Sequence, residues 1–252
     1  MTKRAERRRE QRRGPAETSM SRVPWIVGGV VVAGALIVGW NLASSILDDT
    51  VRAPVPVAYG SPQELLELAQ GVEAGNLDAA VTIFEFADYQ CPSCRNFFQM
   101  TKPFLDLTYI EQNQIRFVFH DFPLPDAHPN AFLAARAARC AGDQGAYWGF
   151  HDRLFQMQNE WAFMADPSGE FEGYAEELGL DGGGFRSCLA GDRHADVVSA
   201  NMQLGAELGV QGTPTVMIDS GEGRAITLSD WSIESIRAVV DQALGLEEPA
   251  DP

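Results

Sequence analysis

The sequence has few cysteines and, outside its first residues, few basic side chains. Only four of its 252 residues are cysteine, too few for a scaffold held together by disulfides, so a hydrophobic core has to carry the fold. The net charge of the whole chain is −16. Because nucleic-acid binding needs basic surface, this composition argues against a nucleic-acid-binding function and against docking on anionic lipid.

The basic residues that the chain does contain are concentrated at its start. Residues 1–24 carry eight Lys and Arg against three Glu, a net charge of +5, and subtracting this from −16 leaves −21 for the other residues. An uncharged run from Trp25 to Leu47 follows, and about 20 apolar residues suffice to span a bilayer.

Basic residues favour the cytoplasmic side of a membrane. We therefore expect residues 1–24 to form a cytoplasmic tail, residues 25–47 a transmembrane signal anchor, and the rest of the chain to lie outside the cytoplasm. A cleavable signal peptide is the alternative. Both readings place the body in a compartment where disulfides persist.

Residues 48–74 are predicted to be a linker followed by a short approach helix. Pro54 and Pro56 interrupt regular structure early in this segment. Ser61 and Pro62 form a helix-start pair, since Ser caps helix N-termini and Pro favours the first helical position.

The motif Cys91-Pro92-Ser93-Cys94 lies between a predicted strand and a predicted helix. Residues 80–86 have strand-like apolar content, and the apolar residues after the motif recur at helical spacing. At a helix N-terminus, unpaired N–H groups and the helix dipole stabilise a thiolate at Cys91. Cys94 lies one helical turn further on, so the pair can form a disulfide.

We predict that Cys91 and Cys94 are a redox pair acting through a mixed disulfide at Cys91, which Cys94 resolves. An inert structural disulfide and half of a zinc site are the alternatives. A zinc site needs about four ligands, and the sequence has no second CxxC. We therefore expect neither a metal nor a cofactor.

A second landmark, Thr213-Pro214, precedes an apolar strand far downstream, and a second strand is expected around residues 225–227. With the CxxC motif upstream, the chain resembles the DsbA-like branch of the thioredoxin superfamily, and within it the membrane-tethered, BdbD-like bacterial forms. The segments that carry the resemblance are residues 75–94, 115–155 and 208–218.

The resemblance implies an α/β fold class: a thioredoxin-like fold with an inserted α-helical domain, preceded by one N-terminal transmembrane helix. Residues 75–127 and 209–247 would form the thioredoxin-like domain, and residues 128–208 the insertion. Several helical patterns and the helix start at Asp181 agree with such an insertion.

The resemblance also implies roles for residues around the cysteines. Pro214 would be a cis-proline packed beside Cys91, and Thr213, Pro92 and Ser93 would line the substrate-binding surface. The best-known pattern of this branch has a His between the cysteines, which makes the pair a strong oxidant. This chain has Pro92-Ser93 there, so its motif supplies no such charge.

Glu85 lies six residues before Cys91, where the superfamily places a buried acid beneath the second cysteine. Its implied role is to exchange a proton with Cys94. The alternative is an ordinary solvated strand residue.

The resemblance implies a structural disulfide between Cys140 and Cys188, because related membrane-bound forms carry such a pair; two buried free thiols are the alternative. None of the histidines is three or four residues from another, so the sequence contains no helical pair of metal ligands. They are His120, His128, His151 and His194.

Together these features predict a thiol–disulfide oxidoreductase of the bacterial cytoplasmic membrane, with its catalytic domain on the periplasmic side. Its partners would be cysteine-containing exported proteins, which it oxidises, and a quinone-linked membrane protein, which reoxidises it. A reductase or isomerase of the same fold is the alternative, because the motif does not set the redox potential. A peptide-binding, chaperone-like module with a structural disulfide is a further alternative.

Overall fold

The computed structural model describes residues 50–246. The basic tail expected at residues 1–24 and the membrane span expected at residues 25–47 lie outside the described part. No helix within residues 50–246 is both long and apolar enough to cross a bilayer.

The described strands are β1 (Val72–Gly75), β2 (Thr82–Ala87), β3 (Arg116–Asp121), β4 (Thr215–Asp219) and β5 (Ala225–Thr227). The α-helices are α1 (Pro62–Leu68), α2 (Pro92–Asn96), α3 (Lys102–Leu105), α4 (Ala131–Gly142), α5 (Tyr147–Gln156), α6 (Gln158–Trp161), α7 (Ser168–Glu177), α8 (Gly182–Ala190), α9 (Ala195–Glu207) and α10 (Ile233–Leu244). Two π-helical segments, Phe97–Thr101 and Asp106–Ile110, join α2 to α3 and extend α3.

The strands form one mixed sheet in the order β1-β3-β2-β4-β5. Strands β2 and β3 are parallel, and the other neighbours pair antiparallel. A parallel pair needs a crossover connection, which α2 and α3 provide. Strands β4 and β5 follow only after helices α4–α9, so the fold is an α/β fold with an α-helical insertion, as expected.

Helix starts form where the sequence supplies capping groups. The Ser61 hydroxyl accepts a hydrogen bond from the backbone N–H of Glu64 at 3.2 Å, and Pro62 is the first residue of α1. The Asp181 carboxylate accepts hydrogen bonds from Gly183 and Gly184, both at 3.1 Å, at the start of α8. Both helices begin where the sequence predicts.

Strand β1 was not among the predicted strands, and it lies mostly within the segment assigned to linker and approach helix. Its sequence, VEAG, is only four residues long and contains Glu and Gly, which are depleted in strands. It forms a strand because it pairs in register with β3, Val72 opposite Phe119.

Alternating side chains of β2 divide the core into two parts. Phe86 packs with Leu65 of α1 and Leu204 of α9 on one face of the sheet. Ile83 belongs to the larger core on the other face, which also contains Cys94 and the buried residues of α4–α8. Glu85 is two residues after Ile83 and therefore lies on the face of Cys94.

Helix α4 is the centre of the helical insertion, with every residue from Ala131 to Ala141 buried. A disulfide between Cys140 and Cys188 joins α4 to α8, with a Cα–Cα distance of 5.8 Å. This is the pairing that the resemblance implies. The buried guanidinium of Arg136 donates to the carbonyl oxygen of Gly191 at 2.7 Å, close to the same junction.

Candidate active site

Cys91 is the N-cap residue of α2, and Cys94 lies in the first turn of that helix. The backbone N–H of Cys91 donates to the carbonyl of Asp88 at 3.1 Å, which fixes the tight connection after β2. Pro92 occupies the start of the helix, where a missing N–H costs nothing. Cys91 is 7% exposed and Cys94 is fully buried, so an incoming sulfur meets Cys91 first.

The two thiols have opposed acidities. The pKa of Cys91 is lowered to about 5, first by a hydrogen bond with Cys94, then by Thr213 and by backbone N–H groups, while burial opposes this shift. Burial raises the pKa of Cys94 well above its ordinary value, and nearby Cys91 and Glu85 raise it further. At neutral pH, Cys91 is therefore the thiolate and Cys94 the thiol, and the thiolate is the nucleophile.

The Thr213–Pro214 bond is cis and lies beside Cys91. The Sγ atom of Cys91 is 3.4 Å from the carbonyl oxygen of Thr213. The Thr213 hydroxyl is buried and has no hydrogen-bond partner of normal geometry within the described chain, and its interaction with the Cys91 thiolate helps to lower the pKa of that thiol. The structure thus brings together the CxxC motif and the Thr-Pro pair, which lie 119 residues apart in sequence from Cys94 to Thr213.

Glu85 is buried in β2, on the face of the sheet that Cys94 occupies. Burial raises the pKa of Glu85 to about 8, against the opposing effect of nearby Lys102. Lys102 is itself paired with Asp106, with Nζ 2.5 Å from Oδ1. A carboxyl with a pKa near neutrality can hold a proton and pass it on, and Glu85 interacts electrostatically with Cys94.

Sequence reasoning missed a buried carboxylate, Asp88, between Glu85 and the cysteines. Its oxygens accept hydrogen bonds from the backbone N–H of Gln90 at 2.7 Å and of Leu124 at 2.8 Å. The Nδ1 atom of His128 lies 2.8 Å from Oδ2. This hydrogen bond raises the pKa of His128, and the negative charge of Cys91 adds to the rise. An imidazole whose protonated form is favoured therefore lies near residues 88–91, the connection from β2 to α2, which we call the redox loop.

Residues of the helical insertion hold the redox loop. The side-chain amide of Gln158 donates to the carbonyl of Tyr89 at 2.7 Å and to that of Cys91 at 3.0 Å. The Gln90 amide donates to the carbonyl of Ala162 at 2.6 Å, and its oxygen accepts from the Asn130 N–H at 2.8 Å. The insertion thus positions Cys91 directly.

Most of the aromatic residues near the site belong to the core. Phe97, Phe155 and Trp161 are buried, which favours packing over a substrate groove for them. Phe163 is 89% exposed and follows Ala162, the residue bonded to Gln90. Phe163 is therefore a candidate surface contact for a substrate beside the redox loop. The sequence pattern did not reveal it.

His120 and His151 are core residues. The Nδ1 atom of His120 is 2.5 Å from Asn201 Oδ1, on the face of the sheet opposite Glu85, and burial lowers its pKa to about 4. His151 hydrogen-bonds to the Tyr89 hydroxyl at 2.9 Å, and burial lowers its pKa as well. Burial therefore disfavours the protonated form of both imidazoles.

Several known proteins have sequences similar to that of this chain over much of its length. A Na(+)/H(+) antiporter, NhaA 1, of Salinispora arenicola is 38% identical over 170 residues, which are 67% of this chain and 24% of that protein. The chain therefore spans about a quarter of that relative. The probable disulfide bond formation protein D of Bacillus anthracis is 26% identical to this chain. The aligned region covers 84% of this chain and 92% of that protein.

Solved structures share the fold. The crystal structure of oxidised BdbD from Bacillus subtilis superposes with a TM-score of 0.61 at 24% identity, covering 69% of this chain and 93% of that one. Residues 68–241 match the family model described as thioredoxin, and this range contains β1–β5, the CxxC motif and Thr213–Pro214. The chain therefore belongs to the thioredoxin family.

Proposed function

We propose that this chain is an extracytoplasmic thiol–disulfide oxidoreductase that introduces disulfides into exported proteins. The observation that carries the proposal is the opposed acidity of Cys91 and Cys94 within one helical turn. A cysteine pair acts as an oxidant when its reduced, dithiol form is stabilised relative to its disulfide. The Cys91 thiolate exists only in the reduced form, so lowering its pKa favours that form. The name of the Bacillus anthracis relative, a disulfide bond formation protein, points the same way.

The proposed cycle starts from the Cys91–Cys94 disulfide. A substrate thiolate attacks Sγ of Cys91, a mixed disulfide forms, and the Cys91–Cys94 bond breaks. Cys94 leaves as a thiolate and takes the proton of Glu85. This proton transfer matters because a thiolate of high pKa is a poor leaving group, and Cys94 has such a pKa.

A second substrate thiolate then attacks the substrate sulfur of the mixed disulfide. The substrate disulfide forms, and Cys91 is released as its stabilised thiolate. Two electrons have passed from the substrate to the cysteine pair. Throughout, the substrate chain lies along Thr213 and cis-Pro214, with the exposed residues Pro92 and Ser93 at the edge of its path.

We further infer the arrangement at the membrane. Residues 25–47 would anchor the chain in the bacterial cytoplasmic membrane, supported by their uncharged sequence and by the basic residues before them. The redox domain (75–127 and 209–247) and its insertion (128–208) would lie outside, where a quinone-linked membrane partner reoxidises the pair. Extraction of membranes with alkaline carbonate and protease digestion of intact spheroplasts test this arrangement.

Trapping of mixed disulfides tests the proposed reaction. The Cys94→Ala chain is expected to accumulate covalent complexes with exported proteins that a reductant releases, since no second cysteine can resolve them. The matched Cys91→Ala chain should trap none. If Cys94→Ala forms no such complexes and Cys91→Ala keeps full activity, the cysteines are structural and a peptide-binding function is favoured instead.

A further inference from the structure

We propose that reduction of the Cys140–Cys188 disulfide creates a site for a divalent metal ion of the zinc class, with Cys140, Cys188 and His194 as ligands. One donor atom from each residue lies within 4.8 Å of the other two. The proposed redox cycle at Cys91 and Cys94 does not use this cluster.

Three separate elements bring the ligands together. Cys140 is near the end of α4, Cys188 is in α8, and His194 is the N-cap residue of α9. His194 has a φ of 65°, in the left-handed region that few non-glycine residues adopt. The fold therefore holds this residue in an uncommon backbone conformation with its imidazole at the two sulfurs.

A carboxylate supports the histidine. Oδ2 of Asp143 is 3.1 Å from Nε2 of His194 and 3.8 Å from Sγ of Cys188. Metal-binding histidines are commonly oriented by a carboxylate in this way. Arg193 donates to the same oxygen at 3.1 Å, so the carboxylate is held in place and its charge is balanced.

The chemistry of the donors selects the metal. Thiolate and imidazole ligands favour zinc over magnesium and calcium, and zinc accepts them at about 2.3 Å and about 2.0 Å in a tetrahedral arrangement. Three protein ligands leave the fourth coordination position of the ion open. A dithiol reductant transfers two electrons to the Cys140–Cys188 bond and becomes a disulfide itself. The ion then replaces the two thiol protons.

The cluster is buried at its sulfurs and open at its histidine. Cys140 and Cys188 are 1% and 3% exposed, whereas the side chains of His194 and Asp143 are 22% and 35% exposed. His194 also lines a cavity of about 1090 Å³. An ion from solvent therefore reaches the sulfurs past the imidazole, once the disulfide is open.

Cobalt binding to the full chain tests the proposal. Cys91→Ser and Cys94→Ser substitutions remove the other cysteine pair, and the protein is reduced with a phosphine and desalted without oxygen. Titration with Co²⁺ is expected to give thiolate-to-cobalt charge-transfer bands and tetrahedral d–d bands, saturating at one ion per chain. Zn²⁺ should then displace the cobalt. The same protein with Cys140–Cys188 oxidised should give no such bands.

Variants in this background identify the ligands. His194→Ala is expected to weaken cobalt binding by about tenfold or more, and the matched substitution His128→Ala should leave it unchanged. Circular dichroism before and after the titration measures folding. If metal addition restores helical signal in the reduced chain but not in its His194→Ala variant, that result also supports the site. Absence of thiolate–cobalt bands in the reduced chain, or equal affinity in His194→Ala, would overturn the proposal.

Discussion

Nδ1 of His128 lies 2.8 Å from Oδ2 of Asp88, three residues before Cys91 in sequence. The backbone N–H of Asp88 in turn points to Sγ of Cys94 at 3.5 Å. The motif itself has no histidine between its cysteines. The loop before α4 supplies one instead, and Asp88 fixes its position.

This relationship predicts a change in acidity. The pKa of His128 is raised above its ordinary value, and that of Cys91 is lowered to about 5, so the imidazole is charged where Cys91 titrates. Replacing His128 with Ala removes a positive charge that favours the thiolate. The pKa of Cys91 is expected to rise by about one pH unit, as measured by the ultraviolet absorbance of the thiolate in the reduced protein.

The control for this measurement is His194→Ala, which removes a histidine beside the other cysteine pair. It should leave the Cys91 titration unchanged. An unchanged Cys91 pKa in His128→Ala would show that the imidazole does not act on the thiolate.

Glu85 makes stability depend on pH. Its pKa is about 8 in the folded chain against an ordinary value of 4.5. Between these values the unfolded chain loses the proton while the folded chain keeps it, so the Glu85 contribution to stability falls as pH rises. At pH 8, Glu85→Gln should be more stable than the parent chain by about 2–4 kcal/mol, and at pH 4.5 the two should be nearly equal.

Denaturant unfolding at both pH values measures this difference. Glu111→Gln, at an exposed position, is the matched control and should follow the parent chain. If Glu85→Gln shows the same pH dependence as the parent chain, Glu85 is ionised in the folded state and cannot donate the proton that the cycle requires.

The Cys140–Cys188 disulfide closes a sequence separation of 48 residues. Removing it with Cys140→Ser and Cys188→Ser restores the conformational freedom of that loop in the unfolded chain. The expected loss of unfolding free energy is about 3–4 kcal/mol, measured by urea unfolding with the Cys91–Cys94 pair in the same oxidation state in both proteins. A loss near zero would show that helix packing alone fixes this junction.

The sequence predicts the helices and strands that are determined by residues close together in the chain. Cys91 begins a helix after a strand, as the apolar spacing indicates, and Ala225–Thr227 is a strand where the turn-rich segment predicts one. The start of α8 at Asp181 follows from its capping side chain. These features depend on residues within one turn or one strand of each other.

Features that depend on distant residues were not predicted. Strand β1 exists because β3 offers it an edge, and the Asp88–His128 contact joins residues 40 positions apart.

The π-helical segment before α3 bonds the Lys102 N–H to the Phe97 carbonyl. Pro103 follows and cannot donate to the carbonyl four residues earlier, so the helix widens there.

The reduction potential of the Cys91–Cys94 couple tests the central claim, that the stabilised Cys91 thiolate makes this chain an oxidant. The full chain is equilibrated in glutathione buffers, alkylated, and its Cys91 peptide quantified by mass spectrometry. We predict a potential well above the thioredoxin level of about −270 mV and towards the DsbA level of about −120 mV. A potential near or below about −270 mV would contradict the proposal and indicate a reductase.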